Sequence, residues 1–308
     1  MIDFSKFNSL VDIAINFNTN EKCKAVIAES RWGDDVVCPY CGHHHCNRRK
    51  DGRYVCSRCN HNFSELVGTV FENTKINLVK WFMAMYLISS HKKGISSHQL
   101  ARDIHTTQKT AWYILHKIRS LYRQDYICSL AGDIQCDELY LGGREKNKHE
   151  SKKTANNRGK SLKTKSAIFG MADGDGNAVA FVVPDTKAKT LHPIICKYVA
   201  KHSNIFTDEN KSYLGLEKKG YNHYFVCHSK LEFVNGGVTT NTIEGFWGHF
   251  KRMVFGTYHY VSPKYLQRYV DESIYRWNTR EFGSDERFIS LFDASIGVFD
   301  YRAVKMAA

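Results

Sequence analysis

Three acids, Asp137, Asp208 and Glu244, with Lys251 seven positions after the last, and two cysteine pairs, Cys38/Cys41 and Cys56/Cys59, are the side chains of this 308-residue sequence best suited to chemistry. Carboxylates delivered to one place can hold divalent cations, which activate a water or hydroxyl and stabilise the leaving oxygen when phosphodiesters are cut or joined. Acids about 4 Å apart repel strongly unless a cation neutralises them, so a three-carboxylate cluster predicts two Mg²⁺ or Mn²⁺ ions. The cysteines form two CxxC pairs separated by fourteen residues, about the length of a β-hairpin, and offer Zn²⁺ four thiolates in a tetrahedron. Such a set leaves no position for water. The zinc is therefore expected to be structural and to supply most of the folding free energy of a module with little core. His43, His44, His45 and Cys46 crowd the first pair and are alternative ligands. The scattered Cys23, Cys46, Cys128, Cys136, Cys196 and Cys227 read as ordinary thiols rather than a secreted disulfide framework.

Strands and a helix must position the acids. Ile134, Cys136 and Leu139 mark a strand that ends in Asp137 and the residues after it, through Gly143, and residues 204–207 read as a short buried strand ending on Asp208. If these are parallel neighbours, both carboxylates reach the same edge of an α/β sheet. Residues 167–171 and 178–183 read as a hairpin, and its turn, residues 173–177, explains Asp173 and Asp175 without a metal. A helix over 190–200 and a strand over 224–228 complete the pattern. Glu244 comes from a helix over 242–254 whose stripe Ile243, Phe246, Trp247, Phe250 and Val254 would pack on the sheet. At about 100° per residue, Glu244 and Lys251 fall within roughly 20° of each other beside that stripe, while Asn241 faces nearly away from the stripe. One helix can thus present an acid to metals and a cation to a phosphate. Taken singly, a strand-end Asp is as readily a turn former or helix cap, and Glu244 a surface residue in a first helical turn.

Upstream, residues 78–88 are apolar nearly all round and predict a buried helix. Ser96 or Ser97 then caps a short helix carrying Leu100, Ala101 and Ile104, His105 and Thr106 turn the chain, and Thr107 caps a second helix with Ala111, Ile114, Leu115 and Ile118 inward. That is helix-turn-helix grammar. The second helix would turn Gln108, Lys109, Trp112, Tyr113 and Lys117 outward, residue types that reach base edges or phosphates in a major groove. A helical hairpin that only packs is the plainer alternative. The ribbon would carry Arg48, Arg49, Lys50, Arg53 and Arg58.

The net charge is +13, from 44 Lys and Arg against 31 Asp and Glu, which suits a polyanionic partner. Residues 144–165 hold nine Lys or Arg against Glu145 and Glu150, about half of that excess in one stretch. Lys152, Lys153, Arg158, Lys160 and Lys163 in this loop are expected to engage phosphates with counterion release, although a passive solvated loop has the same composition. A hydrophobic content of 43% is ordinary for folded chains. No apolar run approaches the roughly 20 residues that span a bilayer, and the first residues lack the pattern of a signal peptide, so the expected location is the cytoplasm. There is no GxxxxGK[ST] motif, hence no ATP site to propose.

Taken together, the four-cysteine ribbon, the helical block, Asp137-Glu138-x-Tyr140-x-Gly142-Gly143, Thr207-Asp208-Glu209 with Tyr213, Asn241-Thr242-Ile243-Glu244-Gly245-Phe246-Trp247 and Lys251-Arg252 resemble the zinc-ribbon insertion-sequence DDE transposases with an ISXO-type, RNase H-like catalytic domain. The segments Tyr258 to Leu266, Tyr269 to Glu272 and Arg276 to Asn278 are similar to that group's closing segment, and the likeness spans about residues 20–280. The resemblance implies a multidomain α+β chain: an N-terminal helical segment (1–35), a zinc ribbon (36–66), a helix-turn-helix block (67–128), an RNase H-like mixed α/β catalytic domain (129–290) and a tail (291–308). It also implies that Asp137, Asp208 and Glu244 bind catalytic Mg²⁺ or Mn²⁺ and that Lys251 assists at the phosphate. Members differ at the third acid, some using Asn, which leaves Asn241, Glu209, Glu138 and Asp133 as rivals. Tyr140 and Tyr213 fit the motifs in core or substrate-packing roles. The expected activity is metal-dependent cleavage at terminal inverted repeats and transfer of the 3′-hydroxyls into target DNA. It would run in at least a homodimer on the nucleoid of a prokaryotic host. A zinc-dependent DNA-binding regulator without catalysis, or a nuclease or resolvase that cuts without joining, are the alternatives.

Overall fold

The computed structural model describes residue 7 and residues 9–122, 130–143, 149–154, 161–208, 210–225 and 240–297. They fall into two compact units, Met1–Tyr122 with Glu281–Ala308, and Arg123–Arg280. Among the described residues no helix is long and apolar enough to cross a membrane.

The first unit gathers on α3 (Leu78–Ser90), preceded by α1 (Leu10–Asn16) and α2 (Asn20–Trp32). Its sequence is apolar on every side because it is covered on every side: α1, α2, α5 (Gln108–Arg119) and α9 (Ser284–Ile296) all pack on it. Phe82 meets Phe17, Phe292 and Phe71 at ring-centroid distances of 4.8, 5.4 and 6.3 Å. Helix α9, which the sequence reading divides between catalytic domain and tail, lies in this unit, while the other unit ends at Arg280. The ribbon is a three-stranded antiparallel sheet of β1 (Cys46–Arg48), β2 (Tyr54–Cys56) and β3 (Asn62–Phe63). The expected helical pair is α4 (Ser97–Asp103) and α5. Ser96 accepts from the Gln99 amide at 3.1 Å and Thr107 from the Thr110 amide at 3.2 Å, so each helix starts on a side-chain cap. His105 turns the chain between them with φ +48°.

The second unit is a five-stranded mixed sheet in the order β6-β5-β4-β7-β8, formed by β4 (Asp133–Leu141), β5 (Ser166–Ala172), β6 (Ala178–Val183), β7 (Asn204–Thr207) and β8 (Asn222–Phe225). Strands β4, β5 and β6 are mutually antiparallel, and β7 and β8 run parallel to β4. This is a mixed α/β sheet, as the resemblance implies. The β5–β6 turn is tied by Asp173, which accepts from the amide of Asn177 at 2.8 Å and from its side chain at 3.0 Å. Alternation along the strands sorts two cores: Ile134, Cys136 and Phe169 pack with α6 (Ala188–Tyr198), and Leu139, Ile168 and Ala180 with α7 (Asn241–Met253) and α8 (Leu266–Asn278). The expected apolar stripe of α7 is buried, with Ile243, Phe246 and Phe250 at 0% exposure. The strand expected at 224–228 is described only as far as Phe225.

Candidate metal centre

Two groups of ligating side chains converge among the described residues: Cys38, Cys41, Cys56 and Cys59, and Asp137, Glu138 and Asp208, each set with ligand atoms within 4.8 Å of one another. In the first, Cys38 Sγ lies 3.7 Å from Cys59 Sγ and Cys41 Sγ 3.6 Å from Cys56 Sγ. Sulfurs at about 2.3 Å from one Zn²⁺ in a tetrahedron stand about 3.8 Å apart, so the thiols already have the spacing of a structural zinc site. The CxxC turns are held by the Gly42 amide on the Cys38 carbonyl and the Asn60 amide on the Cys56 carbonyl, with Gly42 at φ +69° and Asn60 at φ +56°. Against burial, which raises it, the amides of Cys59 and Arg58 draw the Cys56 thiol down to about 6, toward the ligating thiolate. The rival ligands are turned elsewhere. His44 pairs with Asp35 at 2.5 Å, and the Cys46 thiol donates to the His43 carbonyl at 3.5 Å.

The second group is assembled by register. Strand β7 pairs with β4 as Asn204 with Asp133, Ile205 with Ile134 and Phe206 with Gln135, a constant offset of 71 residues. Continued past the last pair, that offset sets Asp208 beside Asp137. Strand β4 does not end there. It runs on to Leu141 against β5, and only its β7 partner stops, which leaves Asp137 partly exposed where the sheet narrows. Asp137 accepts from the Glu138 amide at 2.8 Å, and Asp208 from the Asn210 amide at 3.0 Å, so both carboxylates are oriented by neighbouring backbone.

Glu138 points to the opposite face of β4 from Asp137, toward Tyr213, whose hydroxyl donates to it, and Asn210, whose amide donates at 3.4 Å. Burial, and the charges of Asp208 and Asp137, push Glu138 up to about 7 against those hydrogen bonds. Three converging oxygen donors within 4.8 Å of one another are the kind of ligands a hard divalent cation takes. Such an ion would offset the charges of Asp208 and Asp137 that, after burial, raise Glu138.

Glu244 lies in the first turn of α7, is exposed, and accepts from the Thr240 hydroxyl at 3.1 Å; it is not among the acids within 4.8 Å of one another. Lys251 is exposed near the end of the same helix. Gln135 is what fixes the helix to the sheet: its side-chain oxygen accepts from the amides of Thr242 at 2.9 Å and Ile243 at 3.1 Å, capping α7 from a strand. Gln135 and Asp137 share a face of β4, so the cap brings the start of α7 to the strand that carries the acid. Gly170, paired with Asp137 in the β4–β5 register, completes the seat, since a Cβ there would lie 2.6 Å from the Trp247 ring. Gln135 and Gly170 were not singled out by the sequence reading. The alternation that puts Gln135 and Asp137 on one face was the available signal.

The rivals for the third acid scatter. Asp133 accepts from Asn204 at the exposed start of β4, Asn241 is exposed at the start of α7, and Glu209 lies outside the described residues. Tyr140 bonds Thr186 at 3.0 Å. Among the expected DNA contacts, Arg48, Arg49, Gln108, Lys109, Lys153 and Lys163 are exposed. Arg158 and Lys160, and the side chain of Lys152, lie outside what is described. Lys117 does not face outward. It is 3% exposed, its ammonium donates to the Val70 carbonyl at 3.4 Å, and burial holds its pKa below the usual lysine range. The reason is that α5 is covered on more sides in its C-terminal half than a two-helix motif would cover it, so only its N-terminal end is free to reach a groove.

Residues 129–278 match the ISXO2-like transposase domain, and residues 18–62 match the transposase zinc-ribbon domain. The chain is 29% identical over 243 residues to an uncharacterized protein in transposable element ISH50 of Halobacterium salinarum, covering 74% of this chain and 81% of that protein. It is 31% identical over 103 residues to an uncharacterized transposase-like protein of Haemophilus influenzae, 33% of this chain and 82% of that one. A solved pre-cleavage Mos1 transpososome aligns over 97% of this chain and 100% of its own at 10% identity, with a TM-score of 0.29, too low to establish a common arrangement.

Proposed function

Because this chain belongs to the zinc-ribbon transposases with an ISXO2-like domain, we propose that it cuts the ends of an insertion sequence and joins the exposed 3′-hydroxyls to target DNA. The observation that carries this reading is the β4–β7 register, which sets Asp208 beside Asp137 at one edge of the sheet. Asp137 and Asp208 would hold Mg²⁺ or Mn²⁺, which supplies activation of a water or 3′-hydroxyl and stabilisation of the leaving oxygen when bound. Glu244 is the third carboxylate, delivered by the helix that Gln135 ties to β4, and Lys251, about two turns on, neutralises the phosphate. Arg48, Arg49 and the N-terminal end of α5, with Gln108 and Lys109, hold the terminal inverted repeats. Lys153 and Lys163, with Lys152, Arg158 and Lys160 in the same basic loop, clamp the DNA backbone. Two ends must be paired for joining, so the active species is at least a dimer on DNA.

A second reading of the third ligand is favoured by the proximity of Glu138 to both aspartates. Glu138→Gln and Glu244→Gln separate the two, because only the ligand's loss shifts the Mg²⁺ concentration needed for half-maximal cleavage. The function itself is tested with purified protein, labelled element ends and Mg²⁺. Cleavage followed by strand transfer is expected. Binding without cleavage would make the chain a regulator, and cleavage without transfer a nuclease.

A further inference from the structure

Four residues beyond Asp137 on the same face of β4, about 13 Å along the strand, Leu141 lines a cavity of about 440 Å³. That lies within the roughly 300–1,000 Å³ of small-molecule clefts. Its walls are apolar and aromatic, with Leu162, Val254, Phe255 and Tyr260 beside Leu141, and Lys163, Lys165 and His259 also line it. No acid is among the described residues that line it.

The backbone around the cavity is specialised. Gly142 closes one wall, since a Cβ there would lie 2.6 Å from the Thr164 carbonyl oxygen and 2.8 Å from the Lys165 side chain. On the other side α7 gives way to a π-helical turn, Val254–Tyr258, and His259 follows at φ +59°, a region that non-glycine residues rarely adopt. This segment keeps Phe255 56% exposed and Tyr260 75% exposed. Large aromatic faces beside a cavity, with cations and no acids among its described lining residues, match a planar apolar ring carried on a polyanion.

We propose that this cavity is a nucleobase subsite, in which an unpaired base of the DNA strand bound at the acids stacks on Phe255 and Tyr260 while Lys163 meets its phosphate. The proposal rests on the transposase reading for the identity of the strand. A stacked strand rises about 3.4 Å per nucleotide, so the base is about four nucleotides from the one at Asp137.

The test is a fluorescein-labelled duplex with a 3′ overhang of four thymidines, the same duplex with an abasic overhang, and a blunt duplex, each titrated with the full zinc-loaded chain. Wild type is expected to prefer the thymidine overhang over the abasic one by about tenfold, the effect of one base–aromatic stack. Phe255→Ala and Tyr260→Ala should remove that preference and leave blunt-duplex affinity unchanged. Phe255→Tyr and Tyr260→Phe should keep it, which excludes a folding defect. Equal binding of the thymidine and abasic overhangs by wild type, or a preference that survives both alanine variants, overturns the subsite. So does a loss of self-association in Phe255→Ala without a change in overhang preference, because the face would then seat a second copy. Cleavage of element ends in Mg²⁺, measured on the same protein, keeps the two readings apart. Cutting without a base preference sinks the subsite alone, whereas base preference without cutting leaves the subsite standing and sinks the transposase reading.

Discussion

The two candidate metal-binding groups among the described residues are built in opposite ways. The four thiols of the ribbon come from two local turns joined by a hairpin, and every ligand is fixed by hydrogen bonds within a few residues of it. Asp137 and Asp208 come from a strand and a strand end 71 residues apart in register, with a helix tied on by Gln135, and it is the sheet that brings them together. A local site stands or falls with its metal, because little else holds the module together. A sheet-borne site should survive loss of a ligand as a fold and fail only as chemistry.

Zinc removal should therefore have the largest structural effect. Chelation, or Cys56→Ser, is expected to unfold the ribbon, since zinc binding supplies on the order of 10 kcal/mol or more to such modules. Zinc content and DNA binding would fall together, while the RNase H-like unit keeps its own melting transition. The pH dependence has a definite sign. The four thiols must lose their protons to ligate, so zinc binding releases protons and acid competes with it. Zinc retention followed by metallochromic dye should be strongest at high pH and fall as the pH is lowered.

Asp137→Asn and Asp208→Asn should show the reverse behaviour, with cleavage down on the order of 10³-fold or more, the several kcal/mol a metal ion supplies, and unchanged zinc content, melting and DNA affinity. Retention of cleavage by both variants would move the site elsewhere. Gly170→Ala tests the seat of α7. A methyl at 2.6 Å from Trp247 forces the helix outward and should cost about 1–3 kcal/mol in thermal unfolding. Cleavage should fall as well, with DNA binding intact. Gln135→Leu, which leaves two helix amides unpaired, is expected to destabilise by a similar or smaller amount, about 1–3 kcal/mol, again lowering cleavage before binding. The smallest effect separates two lysines of α5. Lys109→Ala should reduce the salt slope of DNA binding by about one phosphate contact. Lys117→Met should leave that slope alone and move only the melting temperature.

Much of this was legible before any coordinates. The CxxC pairs announce themselves because spacing alone places their ligands, and the caps at Ser96 and Thr107 are local chemistry. Asp137 and Asp208 were legible as acids on strands. What the pattern could not supply is that β7 stops while β4 continues against β5 to Leu141, because where a strand loses a partner depends on other segments. Glu138 was read only as a rival to the third acid, yet it lies within reach of both aspartates on the opposite face, where Tyr213 and Asn210 hold it. Lys117 was misread because helical phase predicts a face, not what other elements bring to cover it.

By itself, then, the sequence determined a zinc ribbon, a capped helical pair, a mixed strand-and-helix pattern and candidate acids at strand ends, all properties of spacing and period, while the RNase H-like type came from the family resemblance. Tertiary structure alone decided that Asp208 stands beside Asp137, that Glu138 joins them and that α7 is capped by Gln135. It also decided that Gly142 and a π-helical turn hold open a cavity on the same face. The physical reason is that strand register and close approach between distant segments depend on which partner satisfies a backbone amide or fills a surface, and no local stretch of residues carries that information.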